Sequence, residues 1–333
     1  MINCASCGNL VALDDRYCRH CGEPLTRGPS AGEKVGNPFL ILKSRWGVFL
    51  AMLGFTLAWG LLRLGLEDPD VRRSDPALFL AAVIVLSGPI ALWIYWSFRS
   101  KRIDVRRLIG RLPENYNWCP AIGILLVNMV FSLGAAIVVF SAIGLVVEPA
   151  ARPLDTESIT SNSPNPVLLN VSAATVAVLA PVFEELFFRG VLINRWAVKW
   201  RLGIAIFASA LLFGIMHFII AGGAFTGAFT FGAITAVLYI RTRTLLVPMA
   251  LHIANNSLVV TLLILTSTTG IARTAASTVV DATMSTMIFG LALLALTAPI
   301  LIWYLRKNWP RRDELLPYEA SGDGPLPTNT MGD

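Results

Sequence analysis

Charged residues are scarce in this 333-residue sequence, because Asp, Glu, Lys and Arg together make up 14% of it, against about 25% in an average soluble protein. Hydrophobic residues make up 55%, and the mean hydropathy is +0.65. A soluble protein of this length needs charged side chains to cover its surface, and a disordered chain needs even more of them. The composition therefore excludes both classes, and we expect an all-α membrane protein that crosses the bilayer several times.

Histidine and cysteine are also scarce, with three and five residues respectively. The sequence contains no HExxH, and its one GxSxG match, at residues 28–32, lies in the Gly- and Pro-containing linker and not at the strand-to-helix turn of a serine hydrolase; this argues against a zincin-type metalloprotease and a serine hydrolase. Any polar chemistry must therefore come from a few residues, and each charge or histidine inside an apolar segment calls for an explanation.

Four of the five cysteines form two CxxC pairs within the first 21 residues, namely Cys4, Cys7, Cys18 and Cys21. A glycine follows each pair, so tight turns can close four thiolates around one ion, and the spacing predicts a structural zinc in a small ribbon over residues 1–25. Two disulfides or a redox pair are the alternative. We interpret His20 as a surface residue and Cys119 as a small hydrophobe at a helix start.

Apolar stretches long enough to cross a bilayer, which needs about 20 residues, recur after a linker at 26–45. They predict about eight transmembrane helices, at 46–66, 77–98, 119–147, 167–193, 202–221, 224–240, 245–267 and 286–305. The glycines of the sixth stretch weaken its helix propensity, and Gly223 and Gly227 form a GxxxG step that favours close helix packing. Residues 310–333 contain Pro, Gly and Asp without apolar periodicity and are expected to be disordered.

The distribution of basic residues predicts the orientation of these spans. Of 27 Lys and Arg residues, 21 fall in the amino-terminal segment, alternate loops and the tail, five fall in the opposite loops or, for Arg63, at the span end beside them, and Arg189 lies inside the fourth span. By the positive-inside rule, both termini lie in the cytoplasm, where thiolate zinc ligands also stay reduced. The net charge of +6 is then explained by the basic residues on the cytoplasmic side of the membrane. We therefore expect no nucleic-acid partner.

The fourth stretch ends with Glu184, Glu185 and Arg189 in an apolar context. Glu185 and Arg189 are four residues apart, so they share a helix face and can neutralise each other. Glu184 is rotated by about 100° from Glu185 and must face another helix, a cavity or water.

The other two histidines, His217 and His252, also lie in predicted spans, and Asn256 shares a helix face with His252. One interpretation is that Glu184 and His217 activate a water while His252 and Asn256 stabilise an oxyanion. The other is that the histidines and a carboxylate hold a catalytic metal, for which zinc at His217 and His252 is the candidate.

Three motifs in order, EExxxR at 184–189, FxxxH at Phe213 to His217 and HxxxN at His252 to Asn256, resemble those of the CPBP family of intramembrane endopeptidases, which is related to the CAAX prenyl endopeptidases. The resemblance covers residues 165–268 and implies a CAAX protease-like catalytic core there. It lies between the transmembrane helices of 46–147 and the last one at 286–305.

The resemblance also implies roles for these residues. Glu184 with His217 would activate water, and His252 with Asn256 would form the oxyanion hole. Glu185, Arg189 and Phe213 would support them. Asn255 competes with Asn256, but the spacing favours Asn256.

The expected function is hydrolysis of peptide bonds in membrane-associated peptides or proteins, by a glutamate-type mechanism without a catalytic cofactor. Two other functions use the same features: a proton-coupled transporter with these residues as a relay, and a catalytically idle scaffold whose zinc ribbon binds a partner. Low polarity in the outer halves of the other spans disfavours the transporter.

Overall fold

The chain folds as a helical bundle, with one short strand pair at its amino terminus. The computed structural model describes residues 2–4, 6–11, 18, 20–21, 25, 37–67, 76–146, 173–221, 225–269, 284–311 and 314–320. Strands β1 (Ile2–Asn3) and β2 (Leu10–Val11) pair antiparallel, with Ile2 opposite Val11. A 3₁₀ turn follows at Pro38–Leu40.

The helices follow in chain order. They are α1 (Ser44–Glu67), α2 (Pro76–Lys101), α3 (Val105–Ile109), α4 (Cys119–Val146), α5 (175–197), α6 (Leu202–Ala221), α7 (Phe225–Thr242), α8 (Leu246–Thr269), α9 (Met284–Asn308) and α10 (Pro317–Ala320). Seven of the eight apolar stretches predicted from the sequence are helical over nearly the expected range, and the fourth is helical from residue 173, before which residues 167–172 lie outside the described part.

Helix α5 changes geometry along its length. It runs as a π-helix over Thr175–Leu179, as an α-helix over Ala180–Glu185, as a π-helix again over Leu186–Ile193, and ends as an α-helix over Asn194–Ala197. Wide π turns are rare and occur most often at functional sites, where they change which side chains face a neighbouring helix. The second π segment begins directly after Glu185.

Two helical segments within the described residues, Cys119–Ala142 and Met284–Asn308, are long and apolar enough to cross a membrane, and shorter apolar helices lie at Leu202–Phe218 and Leu246–Leu262. Large apolar side chains also face outward, for example Leu92 at 70% exposure and Leu296 at 66%. An apolar exterior of this extent is typical of a surface that lipid covers. Together these features indicate an integral membrane protein.

Helix α7 lies at the centre of the bundle, because every residue from Phe231 to Ile240 is buried. A helix that is apolar all round needs neighbours on every side. Helices α5, α6 and α8 pack around α7 together with α4 and α9, and α1 pairs with α2 beside them. Polar groups on α5, α6 and α8 therefore meet inside the bundle.

Part of the predicted disordered tail is ordered. Leu316 and Tyr318 are buried, the Tyr318 ring packs edge-on against Phe39 at 5.1 Å, and Arg107 donates to the Tyr318 carbonyl at 2.6 Å. The sequence analysis missed this order because the apolar residues of 314–320 show no helical or strand periodicity. Contacts with α3 and with the linker hold the segment in place instead. Residues 321–333 lie outside the described part.

Glycines allow two close helix contacts. A Cβ on Gly227 would collide with Ser132 of α4, whereas Gly223, the other half of the GxxxG step, lies outside the described residues. Between α4 and α9, a Cβ on Gly134 would lie 2.9 Å from the Leu293 Cβ and 3.0 Å from the Gly290 carbonyl oxygen. Backbones approach this closely only where side chains are absent.

We expect Gly134→Val to lower the stability of the bundle, because two methyl groups and a Cβ must enter the α4–α9 contact. Overpacking of this kind costs about 1–3 kcal/mol. Thermal unfolding in detergent measures the loss. Gly123→Val is the matched control on the same helix, since a Cβ there meets nothing within 4 Å. Equal melting temperatures for the two variants would contradict the close contact.

Candidate functional site

The four amino-terminal cysteines lie together, with all sulfurs within 4.8 Å of one another. Cys4 and Cys21 are 3.7 Å apart, and Cys7 and Cys18 are 3.4 Å apart. Both distances are too long for a disulfide, and all the cysteines are free, so the disulfide alternative does not hold in this structure. Four sulfurs at about 2.3 Å from a zinc ion lie about 3.8 Å apart. The cluster therefore has the geometry to hold a metal ion.

Asn9 adjusts the chemistry of this cluster. Its backbone N–H and its side-chain amide, which lies 3.3 Å from the Cys7 sulfur, lower the pKa of the Cys7 thiol from 9.0 to about 6. Cys7 is therefore mostly thiolate at neutral pH, which is the form that binds metals. His20 is exposed and outside the cluster.

The second site is inside the bundle and depends on the ion pair between Glu185 and Arg189. Arg189 Nη1 lies 3.0 Å from Glu185 Oε1, and both side chains are almost completely buried. They are four residues apart on α5, as the sequence predicted. A buried charge without a partner is very costly, so each of these residues requires the other.

Helices α6 and α7 hold the other side of Arg189. Its Nη2 donates to the Gly232 carbonyl at 3.2 Å and to the Thr235 hydroxyl, and its guanidinium carbon lies 4.7 Å from the centre of the Phe213 ring. Arg189 thus connects three helices through hydrogen-bond acceptors that the sequence analysis did not assign. A hydroxyl at Thr235, three residues after a glycine and within the buried run Phe231–Ile240, was the available signal.

His252 lies between the two adjacent carboxylates. Its Nδ1 is 2.8 Å from Glu185 Oε1 and its Nε2 is 3.8 Å from Glu184 Oε2. Because a carboxylate accepts hydrogen bonds, Nδ1 carries the proton, and the ring is oriented with Nε2 toward Glu184. Glu185 therefore positions both Arg189 and His252.

The two carboxylates differ in access to water. The Glu184 side chain is 27% exposed, whereas that of Glu185 is 0% exposed. Glu184 Oε2 is itself buried and has no hydrogen-bond partner in the protein, and 3.8 Å is too long for a direct bond to His252. The exposed part of the Glu184 side chain therefore lies away from Oε2, and Glu184 is the one of the two carboxylates that has any contact with solvent.

His217 enters the site through Phe213. Its Nδ1 donates to the Phe213 carbonyl at 2.9 Å, and its ring centre lies 4.3 Å from that of Phe213. The His252 ring centre lies 5.8 Å from the same phenyl ring. Phe213 therefore contacts both imidazole rings and lies between them. Each ring donates a hydrogen bond through Nδ1 to a fixed acceptor, so its Nε2 atom remains available for catalysis.

Asn256 lies one turn after His252 on α8, and its amide Nδ2 donates to the Val176 carbonyl at 2.9 Å. Asn255 Nδ2 donates to Asn256 Oδ1 at 3.1 Å. An amide has two N–H donors, so one remains after the bond to Val176. The neighbouring asparagine, which the sequence analysis treated as a competitor, orients Asn256 in the structure.

Asn194, a buried residue that the sequence analysis missed, stabilises the carboxyl-terminal part of helix α5. Asn194 donates to the Gly190 carbonyl at 2.8 Å and to the Tyr239 hydroxyl at 2.7 Å. It thereby satisfies a backbone carbonyl of the π segment and links α5 to α7. An asparagine just after an apolar run could have been found in the sequence, but its distant partner could not.

Comparison with known proteins agrees with the site segment. Residues 166–258 match the family described as Type II CAAX prenyl endopeptidase Rce1-like. Human CAAX prenyl protease 2 is 37% identical over 93 residues, a match that covers 22% of this chain and 28% of that protein. No solved structure matches the chain.

The chain thus contains an Rce1-like CAAX prenyl endopeptidase domain, which the motifs had indicated. It spans 28% of the length of the curated relative that it matches. Residues Glu184, Glu185, Arg189, Phe213, His217, His252 and Asn256 all fall within the matched segment.

We expect Arg189→Met to destabilise the protein by about 3–5 kcal/mol, because it leaves Glu185 charged and buried without its partner. The double variant Glu185→Gln with Arg189→Met should recover much of this loss, since a neutral amide still accepts from His252. Thermal unfolding in detergent compares the two variants. Equal losses would contradict a buried ion pair and indicate that Arg189 acts through packing alone.

Proposed function

We propose that this chain is an intramembrane endopeptidase that hydrolyses peptide bonds of membrane-associated peptides or proteins. One observation carries the proposal: within the Rce1-like segment, the partly exposed carboxylate Glu184 faces the Nε2 atom of the oriented His252 across 3.8 Å, without a direct hydrogen bond. No water molecule fits between atoms at this distance, so the proposal places the reacting water and the substrate carbonyl beside the pair, within hydrogen-bond reach of both groups.

In the proposed mechanism, Glu184 accepts a proton from a water molecule, and the oxygen of that water attacks the substrate carbonyl carbon. The His217 Nε2 atom assists by accepting a hydrogen bond from the same water. Collapse of the tetrahedral intermediate breaks the C–N bond, and the proton held by Glu184 passes to the leaving amine. Glu185 remains an ionised positioning group.

The negative oxygen of the intermediate requires hydrogen-bond donors. We assign this role to His252, acting as an imidazolium whose Nδ1–H is held by Glu185 and whose Nε2–H points to the oxyanion, and to the remaining amide hydrogen of Asn256. Two donors held in place before the reaction stabilise developing charge more strongly than mobile water does; His252 is buried and Asn256 is half-buried. The bond from Asn256 to Val176 holds the amide in place before the substrate binds.

We propose water activation by a carboxylate at this site, because Glu184 is partly exposed while His252 already contacts Glu185. Zinc held by His217 and His252 is the alternative. The proposal gives Glu184 the role of general base.

We further propose that the chain crosses the cytoplasmic membrane with about eight spans and both termini in the cytoplasm. The eight helices found at the predicted positions and the asymmetry of Lys and Arg support this arrangement. The substrate then reaches Glu184 from within or beside the bilayer.

We also propose that the cysteine cluster holds one structural zinc ion. A segment of about 25 residues cannot build a sufficient hydrophobic core, and here Cys4, Val11 and Cys18 form a small cluster of their own. Zinc, when bound, supplies the folding energy that such a core lacks.

The peptidase proposal predicts that Glu184→Gln reduces cleavage of a membrane-anchored peptide by at least about 10³-fold, because an amide cannot accept the proton. The assay uses detergent-purified protein and a peptide library, and thermal unfolding verifies the fold. Glu114→Gln is the matched control, because Glu114 is an exposed carboxylate outside the site segment. This variant should cleave the peptide normally. Full activity in the folded Glu184→Gln protein would refute the mechanism.

Metal analysis of the purified protein should give about one zinc per chain, falling to near zero in the double variant Cys7→Ser with Cys21→Ser, because two neutral hydroxyls replace thiolate ligands. Cys119→Ser removes a thiol outside the cluster and should leave the zinc content unchanged. Equal zinc in all three proteins would place the metal elsewhere.

A further inference from the structure

A groove on the outer face of the bundle lies between helix α2, the α2–α3 connection and helix α5. It has a volume of about 630 Å³, within the range of ordinary ligand pockets. Its walls are mainly apolar, with Ile94 and Phe98 on one side and Phe183 and Leu186 on the other.

Two arginines, Arg99 and Arg102, line the end of this otherwise apolar groove. Both side chains are exposed, and no acidic group pairs with either of them among the described residues. Asp104, the one acid of the 99–111 segment, instead accepts from the backbone N–H groups of Arg106 and Arg107 at the start of α3. The groove thus joins an apolar volume to two unneutralised cations.

The backbone at Arg102 supports a role for its side chain. Arg102 has φ of 52°, and the next residue, Ile103, donates back to the Phe98 carbonyl at 2.9 Å. This helix ending favours glycine at the left-handed position. A non-glycine residue there costs free energy and persists where its side chain is useful.

The groove is separate from the carboxylate site, although both involve α5. Phe183 and Leu186 are three residues apart and share one helix face. Glu184 and Glu185 lie between them in sequence and project from other faces, toward His252. A molecule in the groove would therefore contact the back of the site segment and leave Glu184 free.

We propose that this groove binds one anionic glycerophospholipid of the cytoplasmic leaflet, with an acyl chain along the apolar walls and the phosphate on Arg99 and Arg102. The proposed orientation places this end of α2 at the cytoplasmic surface, where anionic lipids concentrate and attract basic side chains. The inference depends on insertion in the membrane and not on the peptidase activity.

Native mass spectrometry of the full-length protein in detergent tests this, with dioleoyl phosphatidylglycerol and dioleoyl phosphatidylcholine as probes. The wild-type chain should retain one phosphatidylglycerol at least about ten-fold more tightly than phosphatidylcholine. The double variant Arg99→Gln with Arg102→Gln should weaken phosphatidylglycerol binding by roughly 30-fold, since each basic residue contributes about a five-fold factor near anionic headgroups.

Arg106→Gln with Arg111→Gln is the matched control, because it removes the same charge from the same segment outside the groove. Because neither side chain lines the groove, it should weaken phosphatidylglycerol binding clearly less than the Arg99 and Arg102 pair does. Ala91→Trp, which fills the groove without changing charge, should weaken both lipids. If Ala91→Trp does not fold, the comparison of the two double arginine variants still tests the proposal, because their side chains are exposed.

Equal affinity of the wild type for the two lipids, or equal loss in the two arginine pairs, would overturn the proposal. Retention of an acylated peptide in the groove without retention of phosphatidylglycerol would also overturn it. Each measurement reads binding directly, so it stands whether or not the protein cleaves peptides.

Discussion

A pair of opposite charges buried in apolar helices constrains the rest of this structure. Arg189 and Glu185 have almost no contact with solvent, so their desolvation must be offset by each other and by further hydrogen bonds. Arg189 finds these on α7, at Gly232 and Thr235, and Glu185 finds His252 on α8. The need to satisfy two charges therefore fixes how α7 and α8 meet α5, and that arrangement in turn fixes where Glu184 lies.

Neighbouring carboxylates can then perform different tasks. Oε1 of the fully buried Glu185 contacts both Arg189 and His252, so Glu185 positions these two side chains. Glu184, which is partly exposed and unpaired by hydrogen bonds, is free to exchange protons. Environment rather than residue type separates structural from reactive carboxylates in many enzymes. The groove at Arg99 and Arg102 is likewise separate from the carboxylate site, because its lining residues Phe183 and Leu186 lie on another face of α5.

The sequence predicted much of this structure, because scarcity made the polar residues conspicuous. The helix bounds followed from hydrophobic length, and the Glu185–Arg189 pair followed from helical spacing. The contact of His252 with Glu185 could not be predicted, since it joins residues 67 apart and depends on how α8 packs against α5. The π turns of α5 and the partners of Asn194 likewise arise from tertiary packing. The order at Tyr318 was missed because its partners, Phe39 and Arg107, are distant in sequence.

The central claim is that Glu184 activates a water molecule for attack on a peptide carbonyl. A single turnover in ¹⁸O-labelled water, with mass analysis of both product and enzyme, tests it most directly. The account predicts one ¹⁸O atom in the new carboxylate of the product and none in the peptide that contains Glu184. Incorporation of ¹⁸O into Glu184 would show a covalent acyl intermediate on that carboxylate and would contradict its role as a general base.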